Sequence, residues 1–205
     1  MEITSYRTLG SPGEGLYKEK GSKFLGFAFP VADEEHVKEM LEALRKKYFD
    51  ATHHCYAYVL GADRKKYRMA DDGEPSHSAG DPIYGQIRSR ELTNTLVVVV
   101  RYFGGTKLGV GGLITAYKAA ADEALNHASV VVKEIVKNFT LHYDYSSTPE
   151  IMKLIKEFDL RILDQQFENE CSLRASYALS VEKSFLEKVH LLQALGHVNK
   201  FIEEN

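Results

Sequence analysis

Short apolar runs and helical stripes succeed one another along the chain. Phe24–Val31 is apolar and aromatic and contains Pro30, which predicts a strand ending at a turn. Asp33 then offers an N-cap acceptor, and Val37, Met40, Leu41, Leu44 and Tyr48 recur at three- and four-residue steps, so a helix follows. Residues 51–60 sort into the two faces of a strand, with Thr52, His54, Tyr56, Tyr58 and Leu60 opposite His53, Cys55, Ala57 and Val59. From Gly61 to Pro82 the chain is polar, turn-rich and longer than an ordinary connection, and it reads as a functional loop or a locally disordered one. Strands are predicted at Ile83–Arg88 and at Thr95–Phe103. The Leu-Val-Val-Val-Val run of the second has the continuous β-branched character of a strand buried on both faces at the centre of a sheet. After a glycine-rich turn, Leu113, Ala116, Tyr117, Ala120, Ala124 and Leu125 mark a helix of small residues.

A second unit is expected from residue 131, giving domains at 1–130 and 131–205. Val136–Tyr145 alternates as a strand, Thr148 and Pro149 supply a cap and a first-turn proline, and Ile151, Leu154, Ile155 and Phe158 form a helical stripe. Strands at Arg161–Glu168 and Cys171–Leu179 flank the turn Asn169-Glu170. A helix follows, with Phe185, Val189, Leu192 and Leu195 facing the core before Gly196 ends it, and a short last strand fits Val198–Ile202. The order strand–helix–strand–strand–helix–strand predicts a ferredoxin-like α+β unit.

Charge narrows the function classes. The 205 residues carry 26 Lys+Arg against 29 Asp+Glu, which excludes a basic nucleic-acid coat and an acidic tail. Residues 1–130 hold 17 of each sign, so a local anion site remains open there, and 14 of the 15 glycines precede residue 113. No apolar run has the length of a membrane span and the start lacks a signal-peptide pattern, so a cytoplasmic protein with no membrane partner is expected. Cys55 and Cys171 are far apart and outside any Cys-x-x-Cys, so neither a disulfide framework nor a zinc ribbon is indicated.

Two segments concentrate chemistry. Arg101–Leu113 runs from a buried strand through five glycines into a helix, an arrangement that brings backbone N–H groups to an anion. It matches neither the P-loop nor the dinucleotide fingerprint, and a purely architectural turn is the competing reading. Asp71–Pro82 packs four carboxylates, His77 and two hydroxyls into twelve positions, without the spacing of a calcium loop. A solvated turn is the plainer reading there. His53 and Cys55 share a strand face while His54 points away, which is awkward for a metal and leaves a Cys–His pair open beside a small buried cysteine. Arg64-Lys65-Lys66-Tyr67-Arg68 reads first as a solvated hairpin tip.

These segments together resemble the IMPACT/YigZ family. The resemblance runs through Lys20–Phe24, Ala51–Tyr58, Asp71–Ser76, Ala79–Ile83 and Val99–Leu113, and residues 135–202 are similar to the C-terminal domain of bacterial members. It implies an N-terminal ribosomal protein S5 domain 2-like βαβ domain. The second domain it implies is ferredoxin-like and similar to one in elongation factor G. Eukaryotic members are linked to translational control by inhibiting activation of the starvation kinase that phosphorylates initiation factor 2. That activity uses a separate partner-binding domain, and the S5-like region here begins almost at Met1, so the kinase pathway is not carried over. Where the family has Gly-Thr before Ala-Gly this chain has His77-Ser78, and where it has Arg-Ala-Tyr the chain has Thr115-Ala116-Tyr117, a change that weakens a phosphate clamp.

The expected function is therefore a non-enzymatic, translation-associated regulatory protein that binds RNA or a ribosomal or translation-factor partner. The expected groove comprises Lys20, Lys23, Arg101, Lys107 and Gly104, Gly105, Gly109, Gly111 and Gly112. The alternative is a phosphate-ligand-binding enzyme or nucleotide binder. In it Asp71, Asp72 and Glu74 supply metal ligands or a general base for a phosphorylated small ligand, and His53 or His54 assists. A third reading is a protein–protein adaptor. No resident cofactor or metal is expected.

Overall fold

Side-chain alternation along the strands decides how the first unit is layered. The computed structural model describes residues 3–167 and 171–204, and the chain divides into two units, Ser5–Lys133 and Met1–Thr4 with Glu134–Asn205. The first unit contains β1 (Ser5–Leu9), β2 (Gly13–Glu19), β3 (Ser22–Pro30), α1 (Glu34–Lys47), β4 (His53–Leu60), β5 (Lys66–Ala70), α2 (Gly80–Ser89), β6 (Thr95–Tyr102), α3 (Gly109–His127) and β7 (Val130–Glu134). Its main sheet has the order β2-β3-β6-β4-β5 with every pairing antiparallel, and β1 pairs with β7 apart from it.

Both faces of that sheet are covered. Val37, Leu41 and Leu44 of α1 pack with Phe27, Tyr56, Tyr58, Val98 and Val100, while Ile83, Ile87, Ala116 and Ala120 of α2 and α3 pack with Ala28, Cys55, Ala57, Val97 and Val99. This double cover explains why β6 reads as an unbroken β-branched run although the sheet is antiparallel. Asp33 caps α1 as expected, its side chain accepting from His36 N–H at 2.9 Å, a contact of about 1 kcal/mol. The alanine stripe of α3 lies close to the sheet because the strands beneath carry glycine: a Cβ on Gly26 would stand 2.2 Å from the Ala120 carbonyl oxygen.

Two expectations are corrected. Ile83–Arg88 is not a strand but most of α2, since Ile83 and Ile87 lie one helical turn apart and are both fully buried, and Pro82 occupies the first turn where a proline is tolerated. The stretch from Gly61 to Pro82 is not a loop throughout, because Lys66–Ala70 pairs with β4 as an edge strand.

The second unit contains β8 (Val136–Tyr143), α4 (Thr148–Glu157), β9 (Arg161–Phe167), β10 (Cys171–Ala178), α5 (Glu182–Ala194) and β11 (Lys200–Glu204), in an antiparallel sheet of order β11-β8-β10-β9. A 3-10 turn over Tyr145–Ser147 precedes α4, so Thr148 is its first residue and Ser147 its N-cap. Leu195, expected in the core, is 62% exposed one residue beyond α5. Glu168 and the expected turn Asn169-Glu170 lie outside the described residues.

Candidate functional site

The register of three strands places one arginine at the centre of the site. Arg101 near the end of β6 lies opposite Phe24 on β3 and His53 on β4, and projects to the α2/α3 side with Val97 and Val99. It is 5% exposed, and its guanidinium sits 5.3 Å from the Phe24 ring and 5.6 Å from that of Phe103. A cation so placed needs a counter-charge. The turn between β5 and α2 supplies it: Arg101 Nη1 donates to Glu74 Oε1 at 2.5 Å, and the Glu74 side chain is 4% exposed.

The same carboxylate oxygen accepts from the Tyr117 hydroxyl of α3 at 2.7 Å, and His53 Nε2 stands 3.8 Å away. The Asp72 carbonyl accepts from His53 Nδ1 at 2.7 Å, which assigns that nitrogen the proton and turns Nε2 toward Glu74. Cys55 Sγ donates to the Asp71 carbonyl at 3.0 Å and meets the Tyr117 oxygen at 3.3 Å. Burial pushes the Cys55 thiol up, and burial likewise pushes up the Tyr117 hydroxyl. Cys55 is therefore a protonated, inert thiol, and the Cys–His pair left open by the sequence is not armed as a nucleophile.

The other acidic residues of the turn have structural duties. Asp71 Oδ1 accepts from Ala79 N–H at 3.0 Å and Gly80 N–H at 2.8 Å, and Oδ2 from His77 N–H at 2.9 Å, so it caps α2 from a distance while Ala79, the formal N-cap, has no side chain for the task. Asp72 Oδ2 accepts from His54 N–H at 2.6 Å, and Arg45 lies 3.8 Å from Oδ1. His54 itself faces the α1 side of the sheet, away from Glu74, with Nε2 buried and unpartnered. Among the described residues no cluster of three or more His, Cys, Asp or Glu could hold a metal ion. Of the three carboxylates expected to act together, only Glu74 joins Arg101.

A cavity of about 380 Å³ opens beside that pair, walled by Pro75, Phe103, Leu108, Val110 and Leu113 and bordered by Lys107 and Gly109. The acidic turn and the glycine loop thus meet in one place. The glycines there differ in purpose. A Cβ on Gly104 would fall 1.9 Å from the Gly21 carbonyl carbon, so close packing requires it, and Gly109 has a φ of +72°. Gly111 has neither a positive φ nor any neighbour within 4 Å of where its Cβ would be. Glycine near the start of a helix costs up to about 1 kcal/mol against alanine, and nothing in the packing repays it there.

The single groove expected from Lys20, Lys23, Arg101 and Lys107 is not formed. Lys23 shares its strand face with Leu25 and Phe27 on the α1 side, and Arg101 shares the opposite one with Val97 and Val99. Lys20 occupies the β2–β3 turn with a φ of 47°. Lys23 instead borders a second hollow with Lys18, Tyr48 and Tyr102, and Phe103 lines both hollows. Phe103, Ser22 and Tyr117 also belong to this region. Ser22 Oγ, fully buried, accepts from Gly104 N–H at 3.1 Å and ties β3 to the glycine loop. Tyr117 reads as core in an alanine stripe, and the one clue to its role is that a buried hydroxyl needs a partner.

The Impact N-terminal domain model matches residues 20–125, a span that encloses Arg101, Glu74, Tyr117 and the whole glycine loop. The chain belongs to the IMPACT family. Among the relatives of this IMPACT chain, IMPACT family member YvyE of Bacillus subtilis is 37% identical over 76% of this chain and 71% of its own. IMPACT family member YigZ of Escherichia coli is 31% identical over 83% and 84%. A crystal structure of a hypothetical protein superposes with a TM-score of 0.71 at 28% identity, covering all of this chain and 99% of that one.

Proposed function

We propose that this IMPACT chain is a translation-associated binding protein that holds single-stranded RNA across the end of its main sheet. The observation that carries the reading is Phe103. Its ring is 47% exposed and stands between two hollows, with Lys107 on one side and Lys18 and Lys23 on the other. Cations alternating with an exposed aromatic ring are what a sequence-tolerant single-strand site requires, the ring stacking a base and the lysines meeting phosphates. The link to translation is the one the family resemblance implies. No helix among the described residues is long and apolar enough to cross a membrane.

In the same reading the first unit is S5 domain 2-like and the second ferredoxin-like, the latter supported by its β-α-β-β-α-β order. On the open face of the second sheet β8 and β10 carry Thr140, His142, Ser172 and Arg174 and neither Phe nor Tyr, so the RNA contact is assigned to the first unit. An enzymatic reading keeps one supporting observation, the placement of Glu74 in the cavity beside the glycine loop, but it lacks the carboxylate partners that Asp71 and Asp72 were expected to supply.

The test is the anisotropy of a labelled single-stranded RNA between 50 and 200 mM salt. Affinity should fall steeply with salt, Phe103→Ala should cost about 1–3 kcal/mol of binding, and Lys23→Ala or Lys107→Ala should each reduce the salt slope by about one. Binding indifferent to salt and to Phe103 would overturn the reading.

A further inference from the structure

The cavity beside Glu74 has its polar groups sorted by type. At its inner end Arg101 has little left to give. Nη1 is engaged by Glu74, Nη2 reaches Ser22 Oγ at 3.5 Å, and Nε is fully enclosed without a partner. Arg101 is therefore not free to clamp a phosphate with two parallel bonds. What remains at that end is an acceptor. Both donors to Glu74 converge on Oε1, and Oε2 has no partner among the described residues although the side chain is 4% exposed and lines the cavity.

The outer end has the opposite character. Lys107 makes no ion pair among the described residues, α3 begins without a side-chain cap or an acidic residue in its first turn, and Gly111 leaves its backbone bare. Free N–H groups at a helix start and a lysine attract an anion. The rest of the lining is apolar, with Phe103, Val110 and Leu113 among it. A matching ligand has N–H donors on one edge, a flat apolar body and an anion at its far side, and a volume near 380 Å³ lies in the usual range for a small-molecule pocket.

We infer that this cavity is a guanine pocket, in which Glu74 accepts from the donor edge of the base while Lys107 and the first amides of α3 take the attached phosphate. Guanine presents adjacent N–H donors at N1 and N2. Uracil has one, set between two carbonyl oxygens that repel a carboxylate. The inference rests on the RNA reading above and gives it a base preference. The ligand is a guanosine monophosphate unit, either free or at an unpaired position of an RNA strand.

The test has two arms. In the first, GMP, AMP, CMP, UMP and inorganic phosphate are titrated by calorimetry into the full chain. GMP should bind at least about tenfold more tightly than UMP, with phosphate alone not reproducing it. Glu74→Gln should remove that preference by turning an amide donor toward the base. Val110 is 51% exposed at the cavity wall, so Val110→Trp should abolish GMP binding even if Glu74→Gln fails to fold. In the second arm, single-stranded RNA carrying one guanine is compared with an all-uracil strand. Guanine preference in both arms assigns the pocket to either source, and preference in the RNA arm alone assigns it to an RNA residue. Equal binding of GMP and UMP together with equal binding of the two strands, or GMP binding untouched by Val110→Trp, overturns the guanine pocket. All-uracil RNA that still binds with a steep salt slope then leaves the RNA reading standing.

Discussion

Each unit contains an arginine that pairs with a glutamate, and the two pairs are built for different ends. Arg174 of β10 and Glu204 of β11 meet across β8 through contacts of 2.7 to 3.0 Å, with side chains 51% and 27% exposed. Arg101 and Glu74 make a single close contact with side chains 7% and 4% exposed, at the wall of a cavity. The second unit buries no Asp, Glu, Lys or Arg among the described residues and fills its interior with rings, Phe185 lying 4.4 Å from Tyr177 and 4.9 Å from Phe139. The first unit also holds six of the seven non-glycine residues of positive φ among those described, including Asp72 and His77 of the acidic turn. A buried ion pair is weak evidence of stability, because desolvation offsets much of its attraction. The concentration of backbone strain in the first unit, together with a buried pair beside a hollow that the second unit lacks among the described residues, supports placing the proposed ligand site there.

Breaking the two pairs gives the largest contrast. Arg101→Met strands a carboxylate inside the protein and should destabilise the chain by about 3–5 kcal/mol in urea denaturation. Arg174→Met leaves Glu204 in contact with water and should barely move the midpoint. Equal effects from the two substitutions would mean that Glu74 is solvated after all.

A smaller effect isolates the acidic turn from the pair. Asp71→Ala removes the acceptor of three backbone N–H groups at the start of α2 and should cost about 2 kcal/mol, while Asp71→Asn should recover part of it. Burial works to raise the Asp71 carboxyl, yet the N–H groups of Gly80, His77 and Ala79 together outweigh it and hold it below the ordinary value of 3.8. A depressed carboxyl stabilises the fold above its unfolded value, and that contribution disappears as pH falls through the folded one. Wild-type protein should therefore lose more stability than Asp71→Ala between pH 5 and acid, measured by urea midpoints at each pH.

Legibility followed how each buried face is made. The β6 valines and the α3 alanines were readable because apolar side chains fill both interfaces. β2 was not, because its inward positions include buried Gly13 and half-buried Gly15: a Cβ there would lie 2.2 and 2.5 Å from the backbone of Ala124, so the strand packs through bare backbone and carries no hydrophobic pattern. β7 escaped because all five of its residues are exposed. α2 was misread because Ile83, Tyr84 and Ile87 fit a short apolar strand as well as one helical face, and Pro82 was the clue that separates them. The chemistry of the site was visible as two unusual segments, but its assembly depended on register. Phe24 rather than Lys23 pairs with Arg101, which sends the lysine to the opposite face of the sheet, and strand parity of that kind is set by long-range pairing.

His54 offers the gentlest way to sharpen the contrast between the two faces of that sheet. Its neighbour His53 meets the Glu74 site, while the His54 ring lies among the α1-side groups with Nε2 buried and unpartnered. Burial holds its pKa below the ordinary value of 6.5, and Arg45 and His53 add to the depression. Asp72 and a hydrogen bond to the Tyr48 backbone pull the other way without cancelling it. A histidine kept neutral in the fold takes up its proton more readily when unfolded, so its contribution is present above about pH 6.5 and declines as pH falls toward the folded value. His54→Leu should flatten the stability profile between pH 7 and pH 5.5. Because the ring faces away from the cavity beside Glu74, the same substitution should leave GMP affinity at pH 7 unchanged. A flattened profile accompanied by lost GMP binding would show that the two faces are coupled.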